Sequence, residues 1–131
     1  LSRGKFIRLL SCSTAFVTPS IYEPLGIVNL EAMAVGLPVV GTKTGGIPDC
    51  IEDGVTGTLV PIEQLDDGTG TPVHPEAFEA DLASALEAVC ADPEKAREMG
   101  AAGRKRVEEH FSWESIALKT MDFYRDVIAG L

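Results

Sequence analysis

The stretch "PSIYEPLGIVNLEAMAVGLPVV" occupies Pro19–Val40 and predicts a turn, a helix and the start of a buried strand. The helix is expected over Gly26–Gly36, because its apolar residues recur at helical spacing and a glycine at its end is a typical cap. One apolar run, Ala15–Thr18, precedes this stretch, and another, Pro38–Thr42, overlaps its end. Both have the continuous apolar character of buried strands. A strand–helix–strand order of this kind is typical of a parallel sheet.

The remaining segments extend the same pattern. We expect a third strand over Thr58–Pro61, an exposed loop over Leu65–Pro75, and helices over these segments: Ser2–Leu10, a short one ending at Ile51, Glu76–Cys90, one that opens at Asp92–Glu94, and a last one capped by Ser112. The last helix is expected to bury an apolar stripe, namely Trp113, Ile116, Thr120, Phe123, Tyr124, Val127 and Ile128. The predicted fold class is therefore α/β, with a parallel Rossmann-like sheet of about three strands, flanking helices and a helical C-terminal segment.

The composition excludes several classes of protein. With 131 residues, of which 45% are hydrophobic and 24% charged, the chain matches one compact globular domain. No apolar run reaches the ~18–20 residues that span a bilayer, and no leader peptide is recognisable, so we expect a cytoplasmic protein. The net charge is -9, and residues 51–92 hold ten acids with no Lys or Arg. That distribution argues against nucleic acid or an anionic membrane as a partner, and a solvated acidic face is the favoured interpretation.

The chain offers no pattern that is typical of a metal site. Its three cysteines, Cys12, Cys50 and Cys90, match no zinc-binding spacing, and no Asp-x-Asp sequence is present. We therefore expect buried free thiols and no bound metal.

A ligand site is predicted where the first strand passes into the helix that follows it. In parallel α/β sheets, ligands bind at the carboxyl ends of strands. The N–H groups of Gly26, Ile27 and Val28 open the helix without partners inside it, so they form a seat for phosphate. Gly26 also lacks a Cβ, which lets a ligand approach the backbone closely.

Two carboxylates flank this seat. Glu23 precedes it, and Glu31 lies about one and a half helical turns further, some ~7–8 Å along the helix axis. Carboxylates next to a phosphate fit a ligand only if they meet hydroxyl groups, from which they accept hydrogen bonds. Glu31 could hold a ribose diol and Glu23 a sugar on the far phosphate. The residues thus indicate a nucleotide sugar.

The residues "EPLGIVNLEAMA" resemble the E-x7-E motif of retaining glycosyltransferases with the GT-B fold, of the glycosyl transferase group 1 type. The variant is most similar to bacterial glycogen synthases, above all the actinobacterial ones. The resemblance runs through "GLPVVGTKTGGIPDCIEDGVTGTLV" and covers Ser11–Val60, and "FSWESIA" fits the closing segment of the family. Two acids eight residues apart are a weak signal alone, because such spacings are common. The whole matching segment, Ser11–Val60, is specific for the family when its motifs and strands stand in this order.

The resemblance implies a role for each matching residue. Glu23 would be the catalytic carboxylate that contacts the transferred sugar. The turn of Leu25, Gly26 and Ile27 would bind the donor diphosphate, and Glu31 would bind the ribose hydroxyls.

Two further glycines, Gly45 and Gly46, would allow close backbone packing near the donor. The family usually has Glu after "GGIP", where this chain has Asp49, so no role is assigned to that residue.

The function implied is that of the donor-binding part of a retaining glycosyltransferase, which transfers glucose from ADP-glucose or UDP-glucose to an α-glucan without a cofactor. Within the family, sucrose synthase, sucrose-phosphate synthase and a maltose-1-phosphate-forming glucosyltransferase are alternatives. Outside it, a non-catalytic nucleotide-sugar-binding or interaction module remains an alternative. The nucleotide base and the acceptor stay open.

The resemblance also implies that the chain is a C-terminal portion of a longer enzyme. The N-terminal domain, through which an α-glucan would be bound, and the first half of the donor domain are expected to be absent, since the upstream Arg and Lys of the family have no counterparts here. In such a portion, one edge of the Ala15–Thr18 strand would be open, and we expect self-association through that edge.

We therefore predict that this chain alone does not turn over a nucleotide sugar, because the basic groups that neutralise the leaving diphosphate are not in it. A donor-hydrolysis and transfer assay on the purified chain measures this directly. Turnover above the uncatalysed background would contradict the prediction.

Overall fold

Three short parallel strands and six helices make up the part of the chain that the structure, a computed structural model, describes, which is residues 2–130. In chain order these elements are α1 (Arg3–Ser11), β1 (Phe16–Thr18), α2 (Ile27–Ala34), β2 (Val39–Thr42), α3 (Ile47–Cys50), β3 (Gly57–Val60), α4 (Pro75–Ala91), α5 (Pro93–His110) and α6 (Trp113–Ala129). The predicted α/β class with a parallel, Rossmann-like sheet of three strands is confirmed.

The sheet has the strand order β1-β2-β3, and both pairings are parallel. Val39 on the central strand pairs with Phe16 on one side and Gly57 on the other. Neighbouring residues of a strand point to opposite faces. Val39 therefore packs into the core beneath α2, while Val40 packs into the core beneath α4. Because both faces are covered, strand β2 is buried throughout and its sequence is continuously apolar or small.

Helix α2 ends where its glycine predicts. Gly36 has a φ of +82°, and its N–H donates to the Met33 carbonyl at 2.9 Å. The next amide, of Leu37, donates to the Ala32 carbonyl at 3.1 Å. These two bonds form a Schellman motif, which satisfies carbonyls of the last turn. The helix begins one residue later than predicted, since Gly26 has a φ of +73° and stands outside it.

The caps predicted for the two last helices are also present. Asp92 accepts a hydrogen bond from the Lys95 N–H at 3.0 Å and caps α5. Ser112 accepts one from the Ser115 N–H at 3.1 Å and caps α6. Each cap of this type contributes about 1 kcal/mol to helix stability.

The predicted burial of the α6 stripe is wrong. No residue of α6 is buried, and Trp113 and Phe123 are 91% and 64% exposed. The side-chain hydrogen bonds from α6 to the end of α5 come from its first two turns, through Ser115 and Lys119. Helical spacing identifies which side of a helix is apolar. It does not establish that residues 2–130 contain an element to cover that side.

Two further features concern the surface of the molecule. No helix among residues 2–130 combines the length and the apolar character that crossing a membrane requires. Strand β1 is an edge of the sheet in the described part of the chain. Self-association through that edge stays a prediction.

Helix α5 crosses α2 at very short range. At Gly100 an added Cβ would overlap the carbonyl of Gly36, whereas at Gly103 it would meet ordinary van der Waals neighbours at 3.4 Å or more. Only the first of these glycines is therefore required by the packing.

Replacing Gly100 by Ala is expected to lower the free energy of unfolding by ~1–3 kcal/mol, the usual cost of overpacking. The control is Gly103→Ala on the same helix, which should be neutral or slightly stabilising because alanine favours helix by up to ~1 kcal/mol. Urea unfolding of both variants tests this. Equal effects in the two variants would mean that the α5–α2 contact is looser than described.

Candidate functional site

The loops that follow the three strands meet at the carboxyl edge of the sheet. Gly45 and Gly46 determine how the loop after β1 and the loop after β2 pack against each other. The Gly46 N–H donates to the Glu23 carbonyl at 2.9 Å. A Cβ on Gly45, whose φ is +52°, would overlap that same carbonyl, and a Cβ on Gly46 would lie 2.6 Å from the Pro24 carbonyl. The loop after β2 therefore lies directly against the loop after β1. The expected proximity of these glycines to a donor remains a prediction.

The carboxylate of Glu23 lies against the backbone at the start of α2. Its Oε1 accepts a hydrogen bond from the Gly26 N–H at 3.0 Å and a longer one from the Leu25 N–H at 3.4 Å. The amides of Ile27 and Val28 have no acceptor within hydrogen-bond reach among residues 2–130. One end of the predicted phosphate seat is thus bonded to an anionic group of the chain itself, and the other end keeps free donors.

Glu31 lies on the solvent side of α2. Its half-buried carboxylate is 3.8 Å from the exposed Arg3 guanidinium, and ion pairs in contact with solvent contribute about 0–1 kcal/mol. Ile27 and Glu31 are four residues apart and therefore share one face of the helix. Ile27 is itself exposed, so this face and the helix start are accessible from the same side.

A buried polar pair lies beneath this turn, and the sequence analysis missed it. Asn29 is fully buried, and its Oδ1 accepts a hydrogen bond from the Thr18 hydroxyl. Its Nδ2 has no partner among residues 2–130. A Cβ on Gly26 would lie 2.9 Å from this Nδ2, which places the amide directly under the Gly26 turn. The available signal was an asparagine between Val28 and Leu30, in a helix that is otherwise apolar on that side.

Helix α3 supports the same turn from behind. The Cys50 thiol donates towards two carbonyl oxygens of this turn. Its Sγ lies 3.4 Å from the Leu25 oxygen and 3.8 Å from the Gly26 oxygen. Arg106 of α5 donates to the carbonyls of Cys50 and Asp49, at 2.9 and 3.1 Å. The Arg106 guanidinium thus stabilises the end of α3, and Cys50 of α3 in turn stabilises the turn at Leu25 and Gly26. Both side chains were missed as part of the site, because only the fold brings positions so distant in sequence together.

Burial, and secondarily the charge of Asp49, raises the pKa of the Cys50 thiol to about 11. The thiol is therefore protonated at neutral pH and retains the hydrogen that it donates to the turn. The expected burial holds for Cys50 but is wrong for Cys12 and Cys90, which are exposed.

The loop after β3 completes the edge of the sheet. Gln64 donates from its Nε2 to the carbonyls of Ile21 and Gly70, at 2.6 and 2.7 Å. Its Oε1 lies 3.5 Å from the Thr44 hydroxyl. One side chain therefore ties together the loops that follow all three strands.

A cavity of about 570 Å³ lies between these loops and is called the edge cavity below. Its lining includes Tyr22, Thr44, Gln64, Leu65, Asp66 and Thr69. Tyr22 immediately precedes Glu23, and Thr44 immediately precedes the Gly45 that packs on Glu23. Among residues 2–130 no three His, Cys, Asp or Glu side chains are grouped as a metal site requires.

The comparisons with known sequences point to one family. The family model for glycosyl transferases group 1 matches residues 1–106. The alpha-maltose-1-phosphate synthases of Mycolicibacterium smegmatis and Mycobacterium tuberculosis are 50% and 49% identical over 98% of this chain. The glycogen synthase of Mycobacterium tuberculosis is 32% identical over 95% of it. The chain spans 31% of the length of the two synthases named first and 27% of the third.

Solved structures show the same fold. A sucrose-phosphate synthase from Thermosynechococcus elongatus superimposes with a TM-score of 0.71 at 36% identity, over 94% of this chain and 27% of that one. The Anabaena protein Alr3699/HepE, in complex with UDP and glucose, superimposes with a TM-score of 0.70 at 24% identity, over 90% of this chain and 28% of its own. These neighbours confirm the predicted GT-B fold and the correspondence of this chain to part of its C-terminal domain.

The three thiols are expected to react with an aromatic disulfide reagent at pH 8 in two phases. Cys12 and Cys90 should react fast, and Cys50 should react slowly, because with a pKa of about 11 only about a thousandth of it is thiolate at that pH. Stopped-flow absorbance of the released thiolate measures both phases. The Cys50→Ser variant should lack the slow phase, and three equally fast thiols would contradict the assignment.

Proposed function

This chain belongs to the glycosyl transferases group 1 family, and from that premise we propose that it forms the donor-binding part of a retaining glucosyltransferase. The donor is a glucose nucleotide, ADP-glucose or UDP-glucose. The observation that carries the proposal is the start of α2, where one acid is bonded to two amides, two further amides are free, and a second acid on the same helix is half-buried and reaches solvent.

The free amides of Ile27 and Val28 are assigned to the diphosphate. A helix N-terminus presents N–H groups and a partial positive charge to an anion. The neighbouring amides of Leu25 and Gly26 already donate to an anionic group, the Glu23 carboxylate, which supports the suitability of this turn for phosphate oxygens. The edge of the buried Asn29 amide, directed at the Gly26 turn, adds a further dipole of the same sign.

Glu23 is assigned to the transferred sugar. The Gly26 and Leu25 amides hold its Oε1, while Oε2 has no partner among residues 2–130. That oxygen can accept a hydrogen bond from a sugar hydroxyl and stabilise the positive charge that develops at the anomeric carbon. Leu25 and Gly26 thus act on the donor mainly by orienting this carboxylate.

Glu31 is assigned to the ribose. It lies on the accessible face of α2, where both carboxylate oxygens can meet the two hydroxyls of a diol. The ion pair with Arg3 is in contact with solvent and weak, so little stability opposes its rearrangement. With Glu23 before the seat and Glu31 beyond it, the sugar end and the nucleoside end of the donor lie on opposite sides of the diphosphate.

The relatives support glucose as the transferred unit. Alpha-maltose-1-phosphate, glycogen and sucrose phosphate, the products in the names of the similar enzymes, all contain glucose units. In the transfer, the bond from the anomeric carbon to the diphosphate oxygen breaks and a bond to an acceptor hydroxyl forms on the same face. The leaving phosphate oxygen takes the hydroxyl proton. The acceptor is a saccharide, and the whole enzyme is cytoplasmic.

Glu31→Ala is expected to weaken the binding of UDP, ADP and their glucose conjugates by about 10–100-fold, because hydrogen bonds to a charged group contribute about 1.5–3 kcal/mol. Calorimetric titration of this chain measures each affinity. The control is Glu79→Ala, which removes an exposed glutamate of α4 and should leave the affinities unchanged. Nucleotide binding that ignores the Glu31 substitution would refute the site.

A further inference from the structure

We propose that Asn29 is a positioning residue for the donor diphosphate, because its buried amide directs a free N–H edge at the turn that opens α2. This role rests on the proposed function, since it concerns how the same turn receives a phosphate. Asn29 is fully buried. It therefore touches no ligand and acts through the turn at Gly26.

Thr18 determines the orientation of this amide. The Thr18 hydroxyl donates to the Asn29 Oδ1, so the opposite edge of the amide, which carries Nδ2, faces the Gly26 turn. A Cβ on Gly26 would lie 2.9 Å from Nδ2. The backbone N–H of Asn29 donates to the Gly26 carbonyl, also at 2.9 Å. The side chain and the backbone of one residue therefore both lie against Gly26.

The amide ends a row of buried polar groups at the carboxyl ends of two strands. Thr42, the last residue of β2, donates from its hydroxyl to the Thr18 carbonyl at 3.3 Å. Thr18, the last residue of β1, donates from its own hydroxyl to Asn29. All three side chains are buried. A hydroxyl that donates to an amide oxygen polarises the amide and strengthens its N–H edge as a donor. The row therefore directs a partial positive charge at the turn.

The stability of the fold does not account for this amide. Its Nδ2 has no partner among residues 2–130, and a buried polar group without a partner lowers the stability of a protein. A leucine of similar size would avoid that cost. The unpartnered donor lies beneath a turn that also leaves the amides of Ile27 and Val28 free. An arrangement of unused donors at one helix start favours an anion as the ligand.

The amide acts on a phosphate in two ways. Its N–H edge is buried, so water does not screen the partial positive charge that it presents to an anion at the turn. It also lies beside Gly26 where a Cβ would point, and so supports the left-handed turn with its φ of +73°. Both effects keep the amides of Ile27 and Val28 directed at the ligand.

The main test is the double variant that combines Thr18→Val with Asn29→Leu. It replaces both partners of the buried hydrogen bond by apolar groups of similar shape, a change that is often neutral or stabilising. We expect the midpoint of urea unfolding to be no lower than that of the unaltered chain. The affinity for UDP, measured by calorimetric titration, should nevertheless fall at least fivefold. If the role of Asn29 were only structural, the affinity would follow the stability and stay unchanged.

A second variant, Asn29→Asp, keeps the size of the side chain and an oxygen to which Thr18 can donate. It replaces the N–H edge by an acceptor, so UDP binding should weaken at least tenfold. The control for stability is Val89→Ala, which shortens a buried side chain of α4 in the core on the other face of the sheet. It should lower the urea midpoint and leave the affinity for UDP unchanged.

A direct signal comes from the side-chain amide of Asn29. Asn29 is the one asparagine of the sequence, and Gln64, which lines the edge cavity, is the one glutamine. The ¹⁵N–¹H spectrum therefore contains one side-chain NH₂ pair from each of them, and the double variant identifies the pair of Asn29. We expect this pair to shift on titration with UDP, with the same dissociation constant as the backbone amides of Ile27 and Val28.

The proposal would be overturned by a double variant or an Asn29→Asp variant that binds UDP as tightly as the unaltered chain. An Asn29 pair that stays in place while the backbone amides of α2 shift would overturn it too. So would an equal loss of affinity in Val89→Ala, because stability would then govern binding. If UDP binds and Glu31→Ala weakens that binding, these results refute only the role of Asn29. An unaltered chain that does not bind UDP would refute the proposed function as well.

Discussion

The contact between the loops after β1 and β2 governs the geometry of the whole site. The Gly46 amide reaches the Glu23 carbonyl only because neither Gly45 nor Gly46 has a Cβ in the way. This contact fixes the backbone of Glu23, and through it the carboxylate that caps the start of α2. The two loops also bring Tyr22 and Thr44 to one cavity. Two hydrogen atoms in place of side chains therefore determine how closely these two loops pack.

Around this contact, the site is supported by groups that need not touch a ligand. Arg106 holds the end of α3, and the protonated Cys50 of α3 donates to the Leu25 and Gly26 carbonyls. Gln64 supports the loops after β1 and β3 in a similar way, because it donates to the carbonyls of Ile21 and Gly70. Buried or tied partners of this kind orient the groups that act on a substrate and reduce the entropy lost on binding.

Much of the fold could be predicted from local patterns. Short apolar runs predicted the three strands, and Gly36, Asp92 and Ser112 predicted where helices end or begin. These predictions hold because each signal depends only on residues that are near in sequence. The predicted burial of the α6 stripe was wrong, because burial needs a partner element and residues 2–130 contain none that covers this side of α6. The motif acids were recognisable from the sequence. Gln64 and Arg106 were not recognisable, because their hydrogen bonds reach across 43 and 56 positions of the chain.

The glycine contact between α5 and α2 has a mechanical consequence. Gly100 touches the carboxyl end of α2 at Gly36, and Arg106 of the same helix grips α3 beside the amino end of α2. The two points are about 9 Å apart along α5. Helix α5 thus contacts α2 directly at its carboxyl end and, through α3, supports the turn at its amino end. A disturbance where Gly100 meets Gly36 would propagate as a misalignment of the amides at the start of α2.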